Sequence, residues 1–339
     1  MKKFVIQELS SGTEFDISHV CENPPFTQAS FYGDWQVSSG RKVRRFVVRS
    51  DDAVVAYMQC VVYPLLFGKH YMYIPYGPII AQQPDELLEF LAHELARIAQ
   101  QERAVFVRLD TTPSLEKAVM KKYFTASPAY TYHSAYFQPR TEWMLSLQKT
   151  EEELFAAMDK KHRYSIKLSE QRDITTEIVT EEFGAHFVTF YKLMEETAKR
   201  NGFHLHNKAY YENVFQGLTK SNAYLVVARH QEKVLAVDVM IIYGGTAHYV
   251  FGCSSSDERQ RMPAYAGLWR AIRHAREIGC KEFNFGGITG AADQHEGWTG
   301  LSLFKKRFGG RAFAHADFYD VVVSPLWYHL YNLRKRLTS

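Results

Sequence analysis

Two stretches of the chain share one hydrophobic rhythm. Residues 46–62 read FVVRSDDAVVAYMQCVV, with β-branched runs on either side of a charged reverse, and residues 225–242, LVVARHQEKVLAVDVMII, repeat the order around a polar turn. Such runs predict antiparallel hairpins. A further apolar run follows each, Tyr71-Met72-Tyr73-Ile74-Pro75 and His248-Tyr249-Val250-Phe251-Gly252, and predicts a third strand. Each copy then passes through a loop to a proline, Pro84 or Pro263. Proline suits a first helical position, where an N–H would have no partner. Leu87, Leu88, Leu91, Leu95 and Ile98 fall at three- and four-residue spacings and predict a helix to about residue 100; Leu268, Ala271, Ile272 and Ala275 predict another to about residue 278. Short strands at 104–107 and 282–285 complete the pattern. Pro84 and Pro263 stand 179 residues apart, as do Ala104 and Phe283. The constant shift predicts a duplicated α/β unit, a mixed sheet covered by helices.

A length of 339 residues, 46% hydrophobic and 23% charged, suits two domains of ordinary size. The net charge of +4 is too small to drive polyanion binding by itself, so such a partner would need a local basic patch. Cys21, Cys60, Cys253 and Cys280 are scattered without a CxxC pair, which points to reduced thiols rather than a zinc ribbon or a disulfide scaffold. The opening MKKFVIQELSSGTEFD lacks the apolar core of a signal peptide, and runs such as 61–67 and 237–242 fall far short of the roughly 20 residues that span a bilayer. A cytoplasmic protein is expected. Aromatic residues make up 14% of the chain, enough for a thick ring-rich core or a ring-lined groove.

Hairpin, strand, helix, strand is the order of N-acetyltransferase domains. Those domains hold the coenzyme A pyrophosphate on backbone N–H groups of a glycine-rich loop at a helix start. The corresponding loop here, DERQRMPA at 257–264, has no glycine, and Pro263 has no N–H; IAQQP at 80–84 lacks the cradle too. A coenzyme A donor is disfavoured, although Arg259 and Arg261 remain able to meet a phosphate. His204 and His206 form an HxH pair, but no HExxH helix or Cys/His spacing accompanies them, and no metal site is predicted. There is no GxSxG elbow, and Cys253 has no base nearby in sequence, so it reads as a packed thiol.

Several stretches together carry a resemblance: FTQASFYGDW at 26–35, YIPYGP at 73–78, KKHRYSIK at 160–167, NFGGI at 284–288, and Trp298-Thr299-Gly300 followed by FKKRFGG at 304–310. In this order the chain resembles the Fem family of peptidoglycan bridge-forming aminoacyltransferases, over most of its length. The resemblance implies two tandem N-acetyltransferase-like domains, 1–144 plus 317–339 and 145–316. The implied activity moves an amino acid from aminoacyl-tRNA onto an amine of a peptidoglycan precursor peptide, lipid-linked or UDP-linked, with no cofactor beyond the tRNA substrate. Some members carry a helical arm near 197–203; this chain has only a short polar turn there and resembles the armless subgroup, expected as a monomer in the cytoplasm or at the inner face of the membrane.

Carried over residue by residue, Lys305 matches the position at the reacting centre, Asp110 an acidic position beside it, and Tyr210 a ring of the acceptor site. Two positions depart: Gln36 stands where UDP-using members have a lysine, and His206 where they have an arginine. Arg41, Lys42 or a protonated His206 would then be left to meet a phosphate. An aminoacyl ester attacked by an amine passes through a tetrahedral oxyanion, which Lys305 would stabilise next to the Phe304 ring, while Asp110 would orient the amine or take its proton. Each candidate has a plainer reading. Lys305, Lys306 and Arg307 also read as a solvated run at a helix end, and Asp110 as a cap of the turn Thr111-Thr112-Pro113. Lys306 is also read as a tRNA or phosphate contact, and Lys160, Lys161, Arg163 and Lys167 read as tRNA or diphosphate contacts, or as the basic end of one helix that opens with the capping box Thr150-Glu151-Glu152-Glu153. Tyr249 and Phe251, two apart on one strand face, read as groove lining or core. The tail from Pro325 to Arg336 pairs an aromatic stripe with a basic end and is read as docked on the first domain or resting on anionic lipid. Rival functions are an N-acyltransferase with another donor such as acyl-CoA, and a precursor-binding protein without turnover.

Overall fold

The structure, a computed structural model, describes residues 4–10, 12–81, 85–110, 117–128, 138–289, 299–315 and 317–338. Pro84, the turn at 111–113 and Trp298 lie outside the described residues. The chain forms two compact units, 1–140 with 314–339, and 141–313. In chain order the first unit holds β1 (Phe4–Glu8), α1 (Ser30–Ser38), β2 (Lys42–Ser50), β3 (Ala53–Pro64), β4 (His70–Ile74), β5 (Ile79–Ile80), α2 (Asp85–Gln101), β6 (Ala104–Asp110), α3 (Lys117–Tyr123) and β7 (Thr125–Ala126). The second continues with β8 (Thr141–Ser146), α4 (Glu151–Ala156), α5 (Lys160–Gln171), β9 (Ile174–Val179), α6 (Phe183–Asn201), α7 (Lys208–Gln216), β10 (Ala223–His230), β11 (Lys233–Tyr243), β12 (Thr246–Ser254), α8 (Pro263–Glu277), β13 (Glu282–Gly287), α9 (Thr299–Lys306) and β14 (Arg311–Ala314). The chain then returns to the first unit with β15 (Phe318–Val322) and α10 (Pro325–Thr338).

The two sheets repeat one plan. The first runs β1-β2-β3-β4-β6-β15-β7, with β5 added on β3; the second, read in the same sense, runs β9-β10-β11-β12-β13-β8-β14. The hairpins turn on two residues, Asp51-Asp52 between Ser50 and Ala53 and Gln231-Glu232 between His230 and Lys233. Asp51 and Gln231 adopt positive φ of 53° and 51°, as tight hairpin turns require. Both hairpins also carry a bulge just after the turn, where Val55 and Leu235 are the extra residues opposite Val48/Arg49 and Ala228/Arg229. In each unit a helix, α2 or α8, crosses between two parallel strands, β4 and β6 or β12 and β13. The leucines of α2 are all buried, and α8 buries Leu268, Ala271, Ile272 and Ala275, as the spacing predicts. α6 ends at Asn201 and α7 starts at Lys208, with residues 202–207 between them and no helical arm.

The position beside the parallel pair is filled from opposite ends of the fold's chain order: β15 lies antiparallel to β6, and β8 antiparallel to β13. β15 is interior to its sheet and carries Asp320, which receives two hydrogen bonds from the Arg108 guanidinium of β6 at 2.8 and 2.7 Å, both side chains being fully buried. The Tyr328 hydroxyl of α10 donates to the same carboxylate at 2.6 Å.

Two expectations are overturned. The segment from Thr150 to Lys167 is not one helix. The capping box is present, with the Thr150 side chain accepting from Glu153 N and the Glu153 side chain accepting from Thr150 N, but α4 stops at Ala156 and α5 starts afresh at Lys160. Asp159 caps the new start by accepting from Lys161 N at 2.8 Å, and Met158 is buried at the break. Lys160 and Lys161 therefore stand at a helix N-terminus, where the dipole opposes them by a few tenths of a kcal/mol each, about the size of the usual benefit at the other end. Dipole compensation does not explain them.

Tyr249 and Phe251 do not share a face. Val239 pairs with Phe251 and Met240 with Tyr249, so β12 holds an extra residue at this point, and a bulge re-aims the side chains. Tyr249 packs with the core beneath α8, whereas Phe251 meets Phe190 of α6 and Tyr211 of α7, ring centroids 6.2 and 5.3 Å away.

Candidate functional site

In the second unit β12 and β13 pair in parallel through Thr246/Glu282, Ala247/Phe283 and His248/Asn284 and then part. Beyond that point β12 stays with β11, while β13 turns to β8 through Gly287 and Glu142. Lys305, in the last turn of α9, sits at this parting. It is 7% exposed, and its Nζ donates to Gly287 O at 2.7 Å. Gly286 takes φ +74°, a turn that favours glycine; a Cβ there would lie in ordinary contact with Tyr249 O at 3.5 Å and Lys305 Nζ at 3.8 Å. Asn284 holds the turn by accepting from Gly286 N at 2.7 Å, and its amide lies 3.4 Å from His248 Nδ1.

Burial lowers the Lys305 ammonium to about 8, against the opposing pull of Glu142. Burial lowers His248 to about 4, again opposed by Glu142, so that ring is neutral near pH 7. The site is a desolvated cation that still carries its proton at neutral pH and has three N–H donors, one of them used by Gly287.

α9 is held from two sides. His162 of α5 lies 3.0 Å through Nε2 from Phe304 O, and its ring packs edge-on to Tyr265 and Phe308. Asp159 N donates to Arg307 O at 2.9 Å. On the other side Trp143 Nε1 donates to Gly309 O at 2.6 Å, and Gly310 takes φ +102°, where a Cβ would fall 2.3 Å from Met144 O. The FGG motif is thus the tight return that lays the end of α9 along β8. Lys305 does not belong to a solvated charge run; Lys306 does, exposed with Nζ 5.8 Å from the Trp143 ring. Phe304 is half-buried among Tyr265, His162 and Phe308.

The cations of α5 lie next to this anchor. Lys160, Lys161 and Lys167 are exposed, Lys167 with Nζ 5.9 Å from the Phe155 ring, and Arg163 donates to Ala156 O and Met158 O across the α4–α5 break. Tyr210 and His206 pack with their rings tilted, 4.3 Å between centroids, and Tyr210 faces the Phe251 ring edge-on at 6.5 Å. These form a ring cluster on the α6–α7 side.

In the first unit, Asp110 ends β6 and is buried, accepting a short hydrogen bond from the Tyr73 hydroxyl of the neighbouring β4. Burial pushes its carboxyl well above the usual range, opposed by the Tyr73 bond and Arg108. Gln36 is buried, and its Oε1 accepts from Arg41 Nη1 at 2.6 Å, while the Arg41 guanidinium lies 4.9 Å from the Tyr63 ring. Lys42 instead pairs with Glu102 at 2.7 Å.

Sequence reasoning missed Asp238. It lies buried at the centre of β11, receives a 3.1 Å hydrogen bond from the Tyr249 hydroxyl, and burial raises its carboxyl to about 7. Gly252 makes room for that ring: a Cβ there would lie 1.6 Å from Tyr249 Oη. Gly252→Ala is expected to cost about 2 kcal/mol by overpacking, measured by urea denaturation; an unchanged midpoint would show that the ring is free to move. Glu142 and Asn284 were missed as site residues too, although Asn284 opens the quoted NFGGI motif.

Two mixed sheets of one plan define a tandem N-acetyltransferase-type fold. A solved tandem GNAT protein from the clavulanic acid biosynthesis pathway superposes with a TM-score of 0.54 at 13% identity, covering 95% of this chain and 99% of that one. The solved structure of FemX superposes with a TM-score of 0.82 at 19% identity, covering 96% and 99%. The FemAB family profile matches residues 12–231 and 227–336, and the chain belongs to the FemAB family. The lipid II:glycine glycyltransferase of Staphylococcus saprophyticus is 22% identical, over 92% of each chain. That alignment runs to 388 residues against 339 here, so the relative has stretches without a counterpart in this chain.

Proposed function

We propose that the protein is an aminoacyltransferase that moves an amino acid from aminoacyl-tRNA to an amine on the peptide of a peptidoglycan precursor, with a lipid-linked acceptor as its substrate. The observation that carries this reading is the Lys305 ammonium, buried and proton-bearing where β12 and β13 part. The acceptor amine attacks the ester carbonyl carbon, and the oxygen takes up the electron pair. The ammonium offers an N–H to that oxyanion. On collapse the ester C–O bond breaks, and the proton lost by the amine goes to the departing ribose oxygen. Tyr210, His206 and Phe251 are assigned to the acceptor's surroundings. The exposed α5 cations, of which Lys160 and Lys161 are set against the helix dipole, lie on a helix tied to α9 through His162 and Asp159 and suit a phosphate backbone. The name of the relative supports the lipid-linked acceptor, and the commitment of Gln36 to Arg41 supports it against a UDP-linked one that calls for a lysine.

The test supplies purified protein with tRNA charged with labelled amino acids and either lipid-linked or UDP-linked muropeptide. Label is expected on the lipid-linked peptide, at a rate that falls steeply with added salt. Transfer from acyl-CoA alone, or precursor binding without turnover from any donor, would reject the proposal.

A further inference from the structure

α10 is apolar on two sides. Inward it packs Trp327, Tyr328 and Tyr331 against Tyr71 and Phe106 of the first unit's sheet. The aromatic stripe is therefore docked on the first unit and partly buried there. Outward, Leu326, Leu330, Leu333 and Leu337 are all exposed, from 45% at Leu330 to 79% at Leu337. Their spacings of four, three and four residues put them within about 60° of arc at 3.6 residues per turn. A helix on the surface of a soluble domain ordinarily turns polar residues outward.

The stripe continues past the helix. The short turn Leu66–Gly68 exposes Leu66 and Phe67, the latter by 81%, and the Phe67 ring lies 5.7 Å from that of Trp327. Fourteen large hydrophobic side chains are exposed among the described residues, and six of them belong to this one surface. Grouping on that scale marks an interaction site, since exposed apolar residues are otherwise scattered singly.

The charges on α10 and on the 65–70 segment have one sign. On the helical wheel Arg334 borders the leucines on one side, and His329 and Arg336 on the other; Lys69 reaches to 5.8 Å from the Trp327 ring. No Asp or Glu occurs in α10 or in residues 65–70. A second copy docked through a two-fold axis would set this cationic border against itself with no carboxylate to answer it. Leucines between cations suit an anionic bilayer, where the apolar side chains enter the headgroup boundary and the cations meet lipid phosphate.

We propose that α10 and the Leu66–Gly68 turn are the surface by which the protein lies on an anionic membrane, holding the first unit at the bilayer where a lipid-linked acceptor resides. The surface is a property of the first unit alone; its use in delivering the acceptor rests on the function proposed above.

The test is co-sedimentation of the full chain with vesicles of phosphatidylcholine, alone or with about one part in three of phosphatidylglycerol. Binding to the anionic vesicles is expected, at least ten-fold stronger than to the neutral ones and weakened by raised salt. The double variant Leu330→Asp/Leu333→Asp is expected to bind at least ten-fold more weakly with an unchanged melting temperature, both side chains being exposed. Arg334→Glu/Arg336→Glu, which leaves the leucines intact, is expected to abolish the preference for anionic vesicles. The leucine variant should also lose transfer to a vesicle-borne acceptor while keeping transfer to a short-chain, water-soluble form of the same lipid-linked acceptor. Equal binding by wild type and both variants, no vesicle binding by wild type, or self-association of the wild type that the leucine variant abolishes would overturn the proposal. Absence of transfer to either acceptor would reject the function and leave the vesicle result to decide the surface.

Discussion

Lys305→Met is expected to lower transfer by roughly 10²–10³-fold, the loss found when one donor to a developing oxyanion is removed, while the protein melts at the same or a higher temperature. The two readouts are expected to diverge because the ammonium is 7% exposed and donates to a backbone carbonyl, Gly287 O, rather than to a carboxylate. Burying a charge that way is costly, and an apolar side chain of similar length removes the cost. A purely structural lysine would behave the other way round, with stability falling and transfer unaffected. The pH profile gives a second check. Burial brings Lys305 from its ordinary 10.5 to about 8, so the donor is present below that pH and lost above it. Transfer should fall with a one-proton step near pH 8. For the same reason the folded form gives up this proton before the unfolded chain does, and stability due to this group rises between about pH 8 and pH 10.5. A rate that stays level to pH 10 would remove Lys305 from the chemistry.

Asp320→Ala is expected to destabilise the protein by about 3–5 kcal/mol, because it strands the Arg108 guanidinium, fully buried, without its counter-ion. The Tyr328 hydroxyl loses its acceptor in the same step. Replacing both members, Arg108→Met with Asp320→Leu, should recover most of the loss, since a buried pair exchanged for apolar side chains of like volume is often near neutral. Urea denaturation of the two variants decides it; a loss below about 1 kcal/mol for Asp320→Ala would show that water or another group reaches Arg108.

The duplication was legible because it is written in local signals: the paired hairpins, the prolines before the helices, and the leucine and alanine spacings of α2 and α8. Strand order beyond the hairpins was not, since β15 and β8 reach their places through pairings over long sequence separations that leave no periodic trace. The face of Phe251 was misread because alternation counts every residue, and one extra residue in β12 reverses it. The α4–α5 break was missed because no glycine or proline interrupts residues 150–167, and the interruption lies in Met158, which packs, and Asp159, which caps. Lys305 was found by resemblance, and its neighbours Glu142 and Asn284 were not assigned, because a buried cation and the groups around it are assembled by tertiary contact from β8, β13 and α9.

The placement of β15 governs the order in which the molecule can be completed as it is made. A nascent chain that has emerged through residue 313 holds everything its second unit requires, but its first unit still ends at β6, an open strand edge with Arg108 unanswered and β7 without a neighbour. The first unit, though earlier in the chain, is therefore completed after the second, and it depends on residues 314–339.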